Sequence, residues 1–337
     1  MRKSVLISLL LTFGAMVFSY FIAEEWVVEV TDVLGPVLTW SFMMGVVFLP
    51  CYGTFYIATS LIWKVQPSLP SKADITVLIA AYNEEDSIKE TIESINSSNF
   101  VGSIKIIVVN DGSTDKTKNI LQDLSKNLDN LLVINKENGG KSSALNVGLE
   151  RIKTNIVVTI DADTIMHVNA IQEIVSRHIN NGFQATAGAI RVNNPNKNLI
   201  TKIQNWDYMI GLASAKQAQG AHDGILVAQG AFSCFDVSVV RQANGWREDV
   251  VGEDIVLSWS LNKVGMVIGY APFAICFTNV PEDYKSFFNQ RKRWSRGLIE
   301  AFRQHSTILF KPSRNLPFYW YNIFFPIMDV AFVVGLL

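Results

Sequence analysis

Cysteine and histidine are scarce here, and neither is spaced for chemistry. The three cysteines, Cys51, Cys234 and Cys276, are odd in number and far apart. That excludes a disulfide framework and a cysteine-rich zinc site, and it suits a reducing compartment. The four histidines, His167, His178, His222 and His305, lack metal-ligand spacing and are read as structural. Net charge is missing too: 29 Lys and Arg against 30 Asp and Glu leave −1, so no nucleic-acid or polyanionic partner is indicated. What the 337 residues do have is apolar mass, at 49% hydrophobic with a mean hydropathy of +0.22. The length allows one large domain or two ordinary ones.

The apolar excess lies at the ends. Ser4 to Ala23 is uncharged and, at about 1.5 Å per residue, spans a ~30 Å hydrocarbon core. Arg2 and Lys3 precede it as in a secretory signal, but the run is long for one and its exit, "FIAEEW", has no small-residue cleavage site. A second uncharged run goes from Val33 to Trp63, broken only by Pro36 and Pro50, and a third follows Arg314 to Leu337 with one charge, Asp329. All three read as membrane helices, over about 4–23, 33–63 and 313–337. Bases flank the first two (Arg2, Lys3; Lys64, Lys72) while the loop "EEWVVEVTD" holds only acids. The positive-inside rule then puts the N-terminus and the long central segment in the cytosol. Whether the chain ends naturally after the third run or is a piece of a longer one stays open.

Between the apolar ends the pattern changes. "ITVLIAAYN" (75–83), "IKIIVVND" (104–111), "NLLVINK" (130–136) and "NIVVTIDAD" (155–163) read as strands apolar on both faces, separated by amphipathic helical stretches. Alternating β and α with continuously apolar strands predicts a mainly parallel, doubly wound sheet. Ligands bind such sheets at the carboxyl ends of the strands, where Asn83, Asp111, Asp161 and Asp163 fall. Each has a bland reading. Aspartates are common in turns, and in "NDGSTD" Ser113, Thr114 or Asp115 can cap a helix. "NGGKSSALN" (138–146) is a glycine turn into a helix that can present N–H groups and Lys141 to an anion, without the P-loop spacing. In "VVGEDIVLSWSLNKVG" (250–265), Glu253 and Asp254 sit where a helix dipole favours acids by about 0.3–1 kcal/mol. "YKSFFNQRKRWSRGLIEAFRQH" (284–305) is amphipathic, with Phe287, Trp294, Leu298 and Phe302 near one stripe and bases beside it. It is expected to lie along the inner membrane surface, and Gln290, Arg293 and Trp294 share one face.

In this order, "VLIAAYNEE", "VVNDGSTD", "DAD", "GED" and "QRKRW" resemble the motifs of the membrane-embedded family 2 glycosyltransferases, the group of poly-N-acetylglucosamine, hyaluronan, chitin and cellulose synthases. The resemblance runs over roughly 74–300 and is nearest to bacterial poly-β-1,6-N-acetylglucosamine synthase-like enzymes. It implies a Rossmann-like GT-A nucleotide-diphospho-sugar transferase domain over 73–275, inserted between transmembrane helices (1–72 and 313–337), with 276–312 as the interfacial segment. It also implies an inverting, processive β-glycosyltransferase at the inner (plasma) membrane. The donor would be a UDP-sugar, UDP-N-acetylglucosamine foremost, and the acceptor a growing glycan, with a small membrane or export subunit as partner.

Carried over by position, Ala81, Tyr82, Glu84 and Asp111 would hold the uridine, Asp111 facing the base. Lys141 would approach the donor phosphates. Asp161 and Asp163 would hold Mg2+ or Mn2+ against the diphosphate, with Asp161 counted also among the donor contacts. Asp254 would be the general base. Gln290, Arg293 and Trp294 would close over the donor, and Gly230, Glu253 and Trp294 would face the acceptor. Two departures stand out. Gly252 replaces the Thr of the family's common Thr-Glu-Asp motif, and only one apolar run follows the Gln-Arg-Trp segment where polymerising relatives carry more. Asp329 in that run would line a channel or sit near the interface. The rivals are a single-addition enzyme acting on a polyprenyl phosphate or glycolipid, and an inactive nucleotide-sugar-binding scaffold. The scaffold predicts eroded acids, whereas Asp111, Asp161, Asp163 and Asp254 are all in place.

Overall fold

The computed structural model describes residues 3–43, 49–313 and 315–323. These fall into two compact units. One is built on helices α1 (Lys3–Met43) and α2 (Leu49–Ile62), with residues 214–224 and the chain from Thr307. The helical break does not come at "EEWVVEVTD" as expected. Glu24 to Asp32 is helical, because nothing in it stops a helix, and the discontinuity falls at Gly35 (φ 75) before Pro36. Among the described residues one helix, Leu6–Ser41, is long and apolar enough to cross a membrane. The stretch read as a second span divides between α1 and the shorter α2. Most of the third expected span, Asp329 included, lies outside the described residues.

The second unit holds an eight-stranded mixed sheet. Its first half follows the β-α alternation read from the sequence. β1 (Asp74–Ala81), α3 (Ile88–Asn96), β2 (Ser103–Asp111), α4 (Thr117–Asn127), β3 (Leu131–Lys136), α5 (Lys141–Arg151) and β4 (Ile156–Ile160) come in order. The strands lie side by side as β3-β2-β1-β4, all parallel. After these come β5 (Thr164–Met166), α6 (Ala170–Asn181), β6 (Ala185–Val192), α7 (Leu199–Asp207), α8 (Ala215–Ala221), β7 (Phe232–Asp236), α9 (Val237–Gln242), α10 (Glu253–Lys263), β8 (Ile268–Thr278) and α11 (Tyr284–His305), all in this unit except α8, which falls in the first. β7 runs antiparallel to both β4 and β6, and β5 runs antiparallel to β8. The fold is therefore GT-A-like, with a parallel half and a mixed half.

Burial explains why β1 is central. Ile75, Val77 and Ile79 point to one face and pack with Ile88, Ile92 and Ile95 of α3 and Ile171 and Ile174 of α6. Leu78 points to the other, against Leu145 and Leu149 of α5 and Leu257 and Leu261 of α10. With side chains alternating at period two, both faces can be dry only if the whole strand is apolar.

Two boundaries differ from the expected contiguous 73–275 domain. Residues 214–224 pack with the apolar unit, where Gln217 donates to the carbonyls of Ser60 (2.9 Å) and Trp63 (3.1 Å). Conversely α11 belongs to the sheet unit. Its Phe302 meets Trp259 edge-on at 4.7 Å, and Trp294 lies 6.3 Å from Tyr208. Two members of the stripe thus have protein partners, although Trp294 stays 38% exposed, and Lys292, Arg293, Arg296 and Arg303 are exposed beside them. All three cysteines are free and buried.

Leu78, fully buried in β1, gives a direct test of this core. Leu78→Ala should cost about 2–5 kcal/mol. Leu132→Ala, at a position 48% exposed on edge strand β3, should cost less than about 0.5 kcal/mol. Chemical unfolding followed by tryptophan fluorescence measures both, and equal costs would contradict the central placing of β1.

Candidate active site

The sheet order sets the site. β1, β2 and β4 end together, so residues after Ala81, at Asp111 and after Ile160 meet at one edge. Two loops there are stitched to each other. Asn83 takes a left-handed backbone (φ 56), which Asn tolerates better than most residues. Its Oδ1 accepts from the Thr114 N–H (2.8 Å), and its own N–H donates to Ser113 Oγ (3.0 Å). The Glu84 N–H donates to Thr117 Oγ1 (2.8 Å) and the Glu85 N–H to Asp115 Oδ2 (3.1 Å). Asp115 also accepts from the Thr117 N–H (3.0 Å) at the start of α4, the capping part of the bland reading. Ala81 is buried and Tyr82 exposed.

Asp111 ends β2 as expected, but its buried carboxylate is fully engaged within the chain. It accepts from Lys136 Nζ (2.6 Å) and from the N–H groups of Gly139 (3.0 Å) and Gly140 (2.8 Å). Lys136 is thus a site residue that motif reading missed. The signal was its place at the end of β3, directly paired in register with Asp111.

"TIDADT" is a strand-end turn, closed by the Thr164 N–H on the Asp161 carbonyl (3.1 Å). Lys141, the first residue of α5, reaches across to Asp161 Oδ1 (2.5 Å) and to Glu253 Oε1 (3.4 Å). Desolvation lowers the ammonium pKa, but Asp161 and then Glu253 outweigh it, so Lys141 stays charged well above the ordinary lysine range. Burial pushes the Glu253 carboxyl up, with Lys141 opposing and Asp254 adding to the rise. Burial likewise raises Asp163, and the charge of Asp161 raises it further. Glu84 is raised by burial and, beyond a lowering hydrogen bond from Ser87, by Asp163 and Asp161. Carboxylates therefore crowd one another here beyond what a single ammonium neutralises.

Asp254 is held at both oxygens. Oδ2 accepts from the Gly230 N–H (2.9 Å) and Oδ1 from the Ile255 N–H (2.7 Å). Gly230 also lies against Lys141, where an added Cβ would come within 2.7 Å of Nζ. The structure thus joins Lys141, Asp161, Gly230, Glu253 and Asp254, with Asp163 beside them.

The α11 residues gather less completely. Trp294 carries Arg291 over its ring at 4.5 Å, and Arg291 pairs with Asp207 (2.6 Å). Tyr208 opens a π-helical segment (Tyr208–Ser214) straight after α7, an irregularity that often marks functional positions. Burial pushes its phenol up to about 12, Arg291 pulls it down, and Asp207 and Asp163 push it up again. Tyr208 thus stands beside Trp294 as a neighbour that the motifs did not reveal. Gln290 Oε1 is buried with no hydrogen-bond partner among the described residues, and Arg293 is exposed.

The model of the family described as glycosyl transferase family 2 matches residues 76–242. Poly-β-1,6-N-acetyl-D-glucosamine synthase of Staphylococcus aureus (strain MSSA476) is 30% identical over 271 residues, covering 76% of this chain and 65% of that protein. The Staphylococcus epidermidis protein of the same name is 33% identical over 224 residues, covering 66% of this chain and 54% of its own length. The chain thus spans about two thirds or less of these relatives. Among solved structures, a mannosyltransferase from Pyrobaculum calidifontis, in complex with GDP-Man and Mn2+, superposes with a TM-score of 0.64 at 18% identity, over 98% of this chain and 86% of that one. Fold, ordered motifs and family match agree: this chain belongs to glycosyl transferase family 2.

Proposed function

We propose that the chain is an inverting, processive β-glycosyltransferase that elongates an extracellular polysaccharide at the inner membrane from a UDP-sugar, UDP-N-acetylglucosamine foremost. The observation that carries this reading is the bridge of Lys141 between Asp161 and Glu253, with Asp254 fixed beside it. It sets a cation and acids at a strand-end edge suited to a diphosphate on one side and a nucleophile on the other. The names of the staphylococcal relatives support the polymer and the sugar, and the apolar α1 supports the membrane.

In this reading the acceptor hydroxyl attacks the anomeric carbon on the face opposite the diphosphate. The new oxygen–carbon bond forms as the carbon–oxygen bond to UDP breaks, and the hydroxyl proton passes to Asp254. One displacement inverts the centre, so no covalent enzyme nucleophile is needed. A positioned base of this kind is worth typically about 10²–10⁴-fold. The two amides on Asp254 hold its carboxylate still for that transfer, while Lys141 and Arg293 supply charge-assisted hydrogen bonds to diphosphate oxygens. Gly230 leaves room for the acceptor beside Lys141, and Trp294 offers it an apolar ring. Ala81, Tyr82, Glu84 and the loop carrying Asp111 would bound the uridine, and Gln290 would join the cover over the donor.

A divalent cation fits the donor set at Asp161 and Asp163. Both are hard oxygen ligands, and burial and mutual charge already raise the Asp163 carboxyl. Among the described residues no group of three or more acids, histidines or cysteines is placed to hold a metal ion by itself, so diphosphate oxygens would have to complete the coordination begun by Asp161 and Asp163. When bound, Mg2+ or Mn2+ would neutralise charge building on the departing UDP.

Labelled UDP-sugars incubated with membranes, followed by sizing of the products, test the reading as a whole. A long glycan supports polymerisation, whereas one sugar on an organic-soluble lipid would replace it with the single-addition reaction. Asp254→Asn should lower kcat by about 10²–10⁴-fold with UDP binding retained, and substantial residual turnover would remove Asp254 from the mechanism. Asp163→Ala should cost about tenfold, or ~1.4 kcal/mol, of the UDP affinity that Mg2+ or Mn2+ adds in calorimetric titration. An unchanged metal effect would count against that ligand.

A further inference from the structure

The loop before Glu253 and Asp254 is held in an unusual way. The first N–H groups of an α-helix lack partners inside the helix, and a Ser, Thr or Asp side chain at the N-cap normally accepts from one of them. The N-cap of α10 is Gly252, which has no side chain to do so. What α11 holds instead is the pair of amides at and just ahead of the N-cap, while the Ile255 N–H inside the first turn is taken by Asp254 Oδ1. Glu300 Oε2 accepts from the Val251 N–H (2.7 Å) and, at 3.4 Å, from the Gly252 N–H. The other oxygen, Oε1, takes a hydrogen bond from Arg296 Nε (2.8 Å), one helical turn away on the same face.

Glu300 reaches this backbone because the two elements touch without side chains between them. A Cβ built on Gly252 would lie 2.6 Å from the Cα of Gly297, and one on Gly297 would lie 2.9 Å from the Cα of Gly252. Gly252 has an ordinary φ of −102, so close approach, not conformational freedom, requires the glycine. Further along α10, Trp259 against Phe302 closes the same contact. The loop is thus clamped to α11 at its backbone, immediately before the residues facing Lys141 and Gly230.

We propose that Glu300 is a positioning residue for glycosyl transfer. By holding the Val251 and Gly252 amides, it sets the entry to α10 so that Glu253 meets Lys141 and Asp254 meets the Gly230 N–H. The inference rests on the reading of Asp254 as general base. Glu300 bonds the loop backbone and Arg296, not Lys141 or the strand-end aspartates, so its loss moves the acids without emptying the nucleotide site. The clamp also fastens the acids to α11, whose earlier turns carry Gln290, Arg293 and Trp294.

The test uses the full chain in lipid membranes with UDP-N-acetylglucosamine as donor. Glu300→Ala should lower kcat by about 10–100-fold, the scale of a displacement near 1 Å, with the donor KM and UDP affinity within about twofold. Glu300→Gln keeps an oxygen for the two amides and should recover most of the rate. Three results would overturn the proposal: Glu300→Ala with kcat unchanged, Glu300→Gln as impaired as Glu300→Ala, or kcat and UDP affinity falling together. If Glu300→Ala does not fold, Gly297→Ala displaces the same loop by its Cβ and should give the same split, and wild-type turnover from it would also overturn the proposal. Asp254→Asn separates the two readings. Its activity would sink the base assignment, whereas an inactive Asp254→Asn beside a fully active Glu300→Ala would sink only the positioning role.

Discussion

The ammonium of Lys141 is the contact on which the rest of the site depends. Asp161 ends β4 in the parallel half of the sheet, and Glu253 starts α10 in the half that follows. Nothing in the sequence between them forces the two together. The sheet does so by placing β7 antiparallel to β4, which brings Ala231 to the Asp161 N–H (3.3 Å) and sets Gly230 beside Lys141. Once adjacent, the acids repel. At the effective dielectric of a protein surface, two like charges about 4 Å apart cost on the order of 4 kcal/mol. A cation between them turns that cost into an attraction, so the fold and the charge arrangement have to be solved together.

Burial first, and mutual charge after it, sets the neighbouring acids above their ordinary range. Lys141 satisfies Asp161 and part of Glu253 and leaves Asp163 and Glu84 with charge unmet. A site meant only for stability would not keep buried acids that raise one another, because each one destabilises its neighbours. In the proposed reaction the excess is useful. Asp161 and Asp163 would hold a divalent cation that offsets this charge, which would leave Lys141 for diphosphate oxygens.

The parallel half of the fold was legible because its strands are buried on both faces and leave continuous β-branched runs. The ordered motifs located Asp161, Asp163 and Asp254 for the same reason, since strand ends and helix starts are local events. What could not be read was whatever depended on distant pairing. The engagement of Asp111 by Lys136 needs the β2–β3 register. The contacts of Phe302 with Trp259 and of Trp294 with Tyr208 depend on partners far along the chain, and an amphipathic pattern does not name them. The break near residue 24 was misplaced for a different reason. Charge suggests a loop, but glutamates are good helix formers and only Gly35–Pro36 interrupts the backbone.

Gly252 shows how a departure from a motif becomes interpretable only in three dimensions. Read locally, losing the Thr of Thr-Glu-Asp removes a helix cap and should cost stability at the turn that carries the acids. In the folded chain the same loss permits the backbone contact with Gly297, and that contact brings Glu300 within reach of the Val251 and Gly252 amides. A cap supplied from within the helix would hold α10 whatever α11 did. A clamp from α11 on the loop leading into α10 ties the two together, so a shift of the helix carrying Gln290, Arg293 and Trp294 also pulls on the loop that leads to Glu253 and Asp254. Substitution at one glycine thereby couples the acids to the helix proposed to close over the donor.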